Sequence, residues 1–155
     1  MPDNTVARLR ELGIALPVPP RPLGAYRAVQ RSGLLLHVSM QMPLADGKPA
    51  FVGLVGGKVS IEEALQASRL CVLNALAQIH EHLGRPEAIR QVVRLDAYVA
   101  CVDGFARHPE VVDGASQLLA QVFGERAGHV RSVCGVRNLP SNVPVALNLQ
   151  VEISV

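Results

Sequence analysis

The last thirteen residues of the chain alternate strictly between apolar side chains and others. Valine, leucine or isoleucine occupies every odd position from 143 to 155, and Asn148, Gln150 and Glu152 stand at even positions between them. A period of two residues is typical of a β-strand with one face in a core and the other turned towards water. This segment is predicted to be the second of two final strands, which are joined by residues 138–142. Arg131 lies near the start of the first of these strands.

A second alternating stretch covers residues 91 to 101. Its predicted buried face carries Val93, Leu95, Ala97, Val99 and Cys101, and its opposite face carries Arg94, Asp96 and Tyr98. Two further apolar runs flank Arg31-Ser32-Gly33 and predict a β-hairpin in the first third of the chain.

Two segments carry the three- and four-residue spacing of amphipathic helices instead. The longer begins at residues 60–63, where the sequence SIEE is that of a capping box, and Gly84 and Pro86 end it. The other begins at Pro109, because proline is tolerated at the first helical position, and Gly124 ends it.

A short helix is predicted over residues 4 to 13, followed by an extended connector over residues 16 to 24 that contains four prolines. After this leading helix, the element order is β-β-α-β-α-β-β. That order predicts an α+β domain in which two helices cover one side of a mixed sheet of four to five strands. Residues 1–155 form a single domain on this interpretation.

One face of such a sheet has no helix to cover it. We expect that face to expose Leu34, Leu36 and Val38 or their neighbours, together with Tyr98. An exposed apolar face of that size indicates a protein partner.

Composition removes several classes of protein. The net charge is +2 with acids and bases interspersed, and aromatic residues make up 3% of the chain, which gives no support to nucleic-acid binding. No apolar run approaches the length of a membrane span, and the charged N-terminus is unlike a secretory signal.

The three cysteines, Cys71, Cys101 and Cys134, are an odd number at wide spacing, which indicates reduced thiols and a cytoplasmic location. Alternation predicts that Cys134 is interior and inert.

Arg131 is the clearest candidate for a functional residue. An arginine on a strand is most often a solvated surface group. Here, however, the neighbours are Gly128, Val130, Val133 and Val136, and no carboxylate stands at strand spacing. A guanidinium in that setting favours a planar anion, since its fork of donors matches a carboxylate.

The sequence contains no pattern typical of a metal site, a nucleotide-binding loop or a catalytic triad. The five histidines and three cysteines have no zinc-site spacing, so no metal is expected. The glycines of residues 53–57 match neither a phosphate-binding loop nor a dinucleotide fingerprint. Ser132 has no evident histidine and aspartate arrangement around it.

Five segments together resemble the RidA/YjgF/YER057c family, and most closely its endoribonuclease L-PSP-like branch. They are GAYRAVQRSGLLLHVSMQMP, LNALAQIHEHLG, VVDGASQLLAQVFGE, HVRSVCGVRNLP and VPVALNLQVEISV. The resemblance runs in order over essentially the whole chain. It implies a chorismate-mutase-like α+β fold that assembles as a homotrimer, with sheets inside, helices outside and clefts between subunits.

The resemblance also implies an activity. Typical members hydrolyse reactive enamines and imines, such as 2-aminoacrylate, to the 2-keto acid and ammonia without a cofactor. Arg131 corresponds to the catalytic arginine that clamps the substrate carboxylate. The remaining ligand-binding residues implied for the cleft are Tyr26, Ser39, Met40, Asp113 and Ser116, the last from a neighbouring subunit.

Three positions depart from the family pattern. Met40 replaces a glycine that lets substrate approach the backbone, and Asp113 replaces an asparagine. Ala146 replaces the glutamate credited with orienting the hydrolytic water. The sequence therefore leaves open whether the protein is a weakened imine deaminase or a trimer that binds small carboxylates or keto acids without turnover. An endoribonuclease is the third alternative.

Overall fold

The computed structural model describes residues 4–84 and 88–155. The helices are α1 (Thr5–Glu11), α2 (Ile61–Leu83) and α3 (His108–Phe123), and the strands are β1 (Val29–Ser32), β2 (Leu35–Gln41), β3 (Leu44–Ala45), β4 (Lys48–Pro49), β5 (Ile89–Ala100), β6 (Val130–Val136) and β7 (Val145–Ile153). Short 3₁₀ turns cover Gly124–Ala127 and Pro140–Asn142. The predicted α+β order is confirmed, and β3 and β4 add a small hairpin to it.

Five strands form a mixed sheet in the order β1-β2-β7-β5-β6. Strands β1 and β2 form the predicted hairpin, in which Ser32 pairs with Leu35 across the turn. Strands β5 and β6 are parallel and joined through α3, whereas β7 lies antiparallel between β2 and β5. The two final strands are therefore not a pair, because the helical crossover places β6 beside β5 and leaves the other edge of β5 for β7.

Helix α2 begins and ends where the sequence indicates. The Ser60 side chain accepts a hydrogen bond from the Glu63 amide at 3.1 Å, and the Glu63 carboxylate accepts one from the Ser60 amide at 2.8 Å. Gly84 follows the last turn in a left-handed conformation with φ of 62°. The capping box is thus confirmed, and Pro86, the other predicted terminator, lies outside the described residues.

Both long helices pack on one face of the sheet, where the odd residues of β7 are fully buried. The two helices also pack closely on each other at Gly114 of α3. A Cβ atom at this position would lie 2.5 Å from the Leu65 carbonyl oxygen and 2.6 Å from Ser68 Oγ. Ser68 Oγ lies 2.9 Å from the carbonyl of Val111, which ties α2 to the first turn of α3. This contact determines where the next turn of α3 presents its polar side chains.

The face of the sheet without helices is less apolar than predicted. Leu36 and Val38 are buried under the helices, not exposed on the open face. The open face carries instead the half-buried Asn148, Gln150 and Glu152 of β7, as the alternation of that strand predicts. The expectation was wrong for Leu36 and Val38, because consecutive leucines leave it ambiguous which residues of β2 face the helices and pairing with β7 decides it, whereas their neighbour Leu34 is exposed as predicted.

Two other positions also differ from the predicted alternation. In β5, Val92 and not Val93 is buried, because the pairing with β7 shifts register between Val92 and Arg94. In β6, Cys134 is exposed instead of interior, since the parallel register places it beside Tyr98 of the open face.

Candidate functional site

Arg131 lies near the start of β6, an edge strand, and points to the side of the sheet that α3 covers. Its partner in register on β5 is Leu95, which is fully buried under the helices. Asp113 and Ser116 are three residues apart on α3 and therefore share a face of that helix. Arg131 Nη1 donates to Asp113 Oδ1 at 2.8 Å and to Ser116 Oγ at 3.1 Å. The carboxylate that is missing from the strand sequence is thus supplied by the helix.

One edge of the Arg131 guanidinium remains available for a ligand. Both of its hydrogen bonds use Nη1, and within residues 4–84 and 88–155 no protein acceptor engages Nε or Nη2. The side chain is 23% exposed, so this edge is partly open to solvent. Nε and Nη2 form the fork that binds a carboxylate through two parallel hydrogen bonds.

A histidine that the sequence analysis did not select completes this cluster. Ser116 Oγ lies 3.0 Å from His129 Nε2, and His129 Nδ1 faces the carbonyl oxygen of Ala127. The signal available in the sequence was spacing: residues 129 and 131 are two apart and so point to the same side of an extended chain. Asp113, Ser116, His129 and Arg131 are hereafter the arginine cluster.

Tyr26, Ser39 and Met40 lie on another part of the chain, where they line a cavity of about 20 Å³, which is room for a water molecule. The Tyr26 side-chain oxygen accepts a hydrogen bond from the Leu23 amide at 3.2 Å. Ser39 and Met40 form a bulge in β2, since both stand opposite the single residue Asn148 of β7. Ser39 Oγ and Asn148 Oδ1 are buried and have no hydrogen-bond partner among the described residues.

Ala146 belongs to this second region and not to the arginine cluster. It is fully buried on the face without helices and packs in one cluster with Met40 and Tyr98. A methyl group offers no acceptor for a water molecule. Tyr26, Ser39, Met40 and Ala146 are hereafter the bulge region.

Within one chain, the structure does not bring the two regions together. Two strands, β7 and β5, separate β2 from β6, which corresponds to about 14 Å across the sheet, and β5 separates Ala146 on β7 from β6. Ser116 was expected to come from a neighbouring subunit, yet it contacts Arg131 in the same chain. The predicted site residues therefore lie in two separate regions of the chain, the bulge region and the arginine cluster.

Neither a metal site nor a membrane-spanning helix is found among the described residues. Across 4–84 and 88–155, no group of three or more histidine, cysteine, aspartate or glutamate side chains converges on a point that could hold a metal ion. None of the helices in the same ranges is long and apolar enough to cross a membrane.

The fold is an α+β domain with one mixed sheet and a partly exposed arginine on its edge strand. A family model described as "YjgF/chorismate_mutase-like, putative endoribonuclease" matches residues 6–153. The chain belongs to this YjgF/chorismate mutase-like family, which confirms the resemblance drawn from the sequence.

Individual relatives match over nearly their whole length. The chain is 35% identical to protein TCP17 of Trypanosoma cruzi over 152 residues, which are 97% of this chain and 95% of that one. The crystal structure of Atu1372 from Agrobacterium tumefaciens, described as of unknown function, has 40% identity and a TM-score of 0.89, covering 97% of this chain and 92% of that one. A structure from Shewanella oneidensis, described as a putative endoribonuclease, has 32% identity and a TM-score of 0.91, covering 96% and 98%.

Proposed function

We propose that the protein is a RidA-like homotrimer that binds small 2-keto and 2-imino acids at Arg131 and hydrolyses reactive imines and enamines slowly. The observation that carries the proposal is the Nε–Nη2 edge of Arg131, to which no described residue is hydrogen bonded. Since Asp113 and Ser116 hold Nη1, the guanidinium is oriented before a ligand arrives. A preorganised fork of this kind suits a carboxylate better than a mobile surface charge does.

The separation of the bulge region from the arginine cluster within one chain favours assembly over a monomeric function. A cleft that joins the bulge region of one copy to the arginine cluster of another would contain every residue implied by the family resemblance. Strand β6 supports this arrangement because it is seven residues long and, among the strands of the described residues, pairs on one side only. An unpaired edge of that length is a template for contact with another chain, and Val130 on it is 64% exposed.

The chemistry proposed for the cleft is addition of water to a C=N bond. A general base close to that water contributes about a hundred- to ten-thousandfold in rate. Ala146 stands where the family glutamate would supply the base and has no acceptor. Turnover is therefore expected to be weak, although binding and orientation still favour the reaction.

Two other functions remain as alternatives. Binding of a small carboxylate without turnover is favoured by the same alanine, because the arginine clamp needs no general base. Cleavage of RNA ranks third: it is named in the description of the family, but net charge is only +2 and aromatic content is 3%. A nucleic-acid surface usually concentrates basic side chains and stacking aromatics.

Titration calorimetry with pyruvate, 2-ketobutyrate and benzoate tests the proposal. Arg131→Ala should abolish measurable binding, and Arg131→Lys should already weaken it, because a point charge cannot reproduce two parallel hydrogen bonds. The exposed Arg137→Ala is the matched control and should bind as wild type does. Unchanged affinity in Arg131→Ala would refute the assignment. Turnover of 2-aminoacrylate, generated by a dehydratase, then separates an enzyme from a binding protein.

A further inference from the structure

We propose that the cavity between α1, the chain that follows it and the end of α2 binds an amphipathic carboxylate, whose apolar body fills the cavity and whose charge meets Arg10. The cavity has a volume of about 560 Å³. Ligand sites in proteins have volumes of about 300–1,000 Å³. No residue of the arginine cluster or of the bulge region lines it, so this inference goes beyond the proposed function and is independent of it.

The wall of this cavity is mostly apolar. Its larger apolar side chains come from α1 and from the segment after it, and they are Val6, Leu9, Ile14, Leu16 and Pro17. Leu9 is buried, whereas Val6 is 39% exposed although it is a valine on a packed helix. Arg10 and His80 also line the cavity, and both are exposed. An apolar interior with a small number of polar groups at its border is the usual composition of a small-molecule site.

A hydrogen-bonded turn at the end of α1 shapes the cavity. Gly13 has a φ of 70°, in the left-handed region that favours glycine. Its amide donates to the Arg10 carbonyl at 2.9 Å, and the Ile14 amide donates to the Leu9 carbonyl at 2.8 Å. These two bonds form a Schellman motif, in which the apolar side chains at the positions of Leu9 and Ile14 commonly touch. Backbone hydrogen bonds thus hold two of the apolar side chains of the wall in place.

Helix α1 is itself anchored to the rest of the domain. It has seven residues and is therefore too short to be stable without tertiary contacts. The Arg8 Nε donates to the carbonyl of Gln121 on α3 at 3.0 Å, and Leu9 packs into the main core. Because these contacts are present without a ligand, little ordering is needed when one binds, and a preformed cavity loses less affinity to that cost.

The charge at the border of the cavity is positive and not neutralised. Within residues 4–84 and 88–155, Arg10 makes no hydrogen bond or ion pair through its side chain. The adjacent carboxylate of Glu11 accepts from Arg8 Nη1 at 3.0 Å instead. No aspartate or glutamate is among the described residues that line the cavity. A guanidinium in that position favours a carboxylate, which can accept two parallel hydrogen bonds from it.

The apolar wall determines which carboxylates bind here. An exposed ion pair contributes little affinity by itself, so a small anion such as pyruvate gains almost nothing at Arg10. An alkyl chain that enters the cavity is removed from water, and each buried CH₂ group should strengthen binding about fourfold. The cavity therefore selects carboxylates with a long apolar body, whereas Arg131 is proposed to bind short ones.

Titration calorimetry with octanoate, decanoate, dodecanoate and the uncharged decanol tests the proposal. The measurements use wild type and Arg131→Ala, so that binding at Arg131 is recognised. Affinity should rise with chain length in both proteins, and decanoate should bind about fivefold more tightly than decanol. Arg10→Ala should remove the difference between decanoate and decanol, and the exposed Arg137→Ala should keep it.

A second pair of variants tests the cavity itself. Val6→Trp places a large side chain in the wall and should weaken decanoate binding about tenfold. Ala7→Trp adds the same bulk to an exposed position of α1 that does not line the cavity, and it should bind decanoate as wild type does. Decanoate should also raise the Tm of Ala7→Trp but not that of Val6→Trp, because a ligand stabilises only the folded state that binds it.

Three results would overturn the proposal. The first is equal decanoate affinity in Val6→Trp and Ala7→Trp, and the second is loss of decanoate binding in Arg131→Ala while Arg10→Ala retains it. The third is absence of decanoate binding in wild type together with a smaller mass of Val6→Trp in light scattering, which would make the cavity a contact between copies. Pyruvate binding should be the same in wild type, Arg10→Ala and Val6→Trp, so the proposed function is tested separately. Circular dichroism of each variant establishes that loss of binding is not loss of fold.

Discussion

Arg131 Nη1 and Asp113 Oδ1 are 2.8 Å apart, and they join an edge strand to the helix above it. The pair orients the guanidinium, but it also places a carboxylate beside the position proposed for the ligand carboxylate. Asp113 therefore has two opposing effects on binding: it positions the clamp, and it repels the anion that the clamp receives.

Replacing Asp113 by asparagine should separate those two effects. The amide side chain of this variant would keep an oxygen acceptor for Arg131 without the negative charge, so pyruvate should bind about fivefold more tightly, or about 1 kcal/mol, at low salt. The gain should shrink as salt screens the charge. Calorimetry at two ionic strengths measures it, with the exposed Asp103→Asn as control. Weaker binding in Asp113→Asn would show that positioning outweighs repulsion.

Assembly is the next prediction, since the proposed cleft needs the bulge region of one copy and the arginine cluster of another. Light scattering at micromolar concentration should give the mass of a trimer. Val130→Arg, which places a charge on the exposed edge strand, should shift the protein towards smaller species and weaken pyruvate binding at the same time. A wild-type protein that is a stable monomer would remove both the trimer and the shared cleft.

Ala146→Glu should raise turnover of 2-aminoacrylate, because it supplies a carboxylate as general base. Ala146 is fully buried beside Met40, so the larger side chain needs space. The double variant with Met40→Gly should therefore gain more than the single one, by about a hundredfold over wild type. Ala146→Gln has the same size without the base and should gain little. If wild type already matches a glutamate-bearing homologue and Ala146→Glu adds nothing, the assignment of position 146 is wrong.

Gly114→Ala should destabilise the protein even though alanine favours helices. The added Cβ would meet a backbone oxygen of α2 at 2.5 Å, and overpacking of this kind costs about 1–3 kcal/mol. Urea denaturation measures the free energy of unfolding. Gly128→Ala is the control, because its nearest contact would be 3.8 Å away. Equal stability of Gly114→Ala and wild type would mean that the two helices can separate without cost.

The cysteines should differ in reactivity towards iodoacetamide. Burial raises the pKa of the Cys71 thiol far above its ordinary value, and burial with nearby Asp103 also raises the pKa of Cys101. A raised pKa lowers the fraction of thiolate at pH 8, so Cys71 and Cys101 should react slowly. Cys134 is exposed in the single chain and should react first. Peptide mass spectrometry resolves the three sites. Cys71 should react only when urea unfolds the protein; its alkylation in the native state would contradict the buried position.

Local patterns predicted the helices, the hairpin and which face of β7 is buried. The capping box of Ser60, the stop at Gly124 and the alternation after Val143 depend on residues only a few positions apart, so the sequence contains all the information needed. The setting of Arg131 in the sequence already marked it as a candidate anion site, and the family resemblance added Asp113 and Ser116 as site residues. It did so from the order of segments and not from any contact between them.

Tertiary structure decided the order of the strands, the phase of β2 and the partners of Arg131. Leu36 could face either side of the sheet until β2 paired with β7, which lies more than a hundred residues later in the chain. Likewise, Arg131 meets Asp113, Ser116 and, through Ser116, His129 only because the crossover of α3 returns the chain over the edge strand. Such contacts arise from packing between segments that are distant in sequence, and local propensity carries no information about which of them will meet.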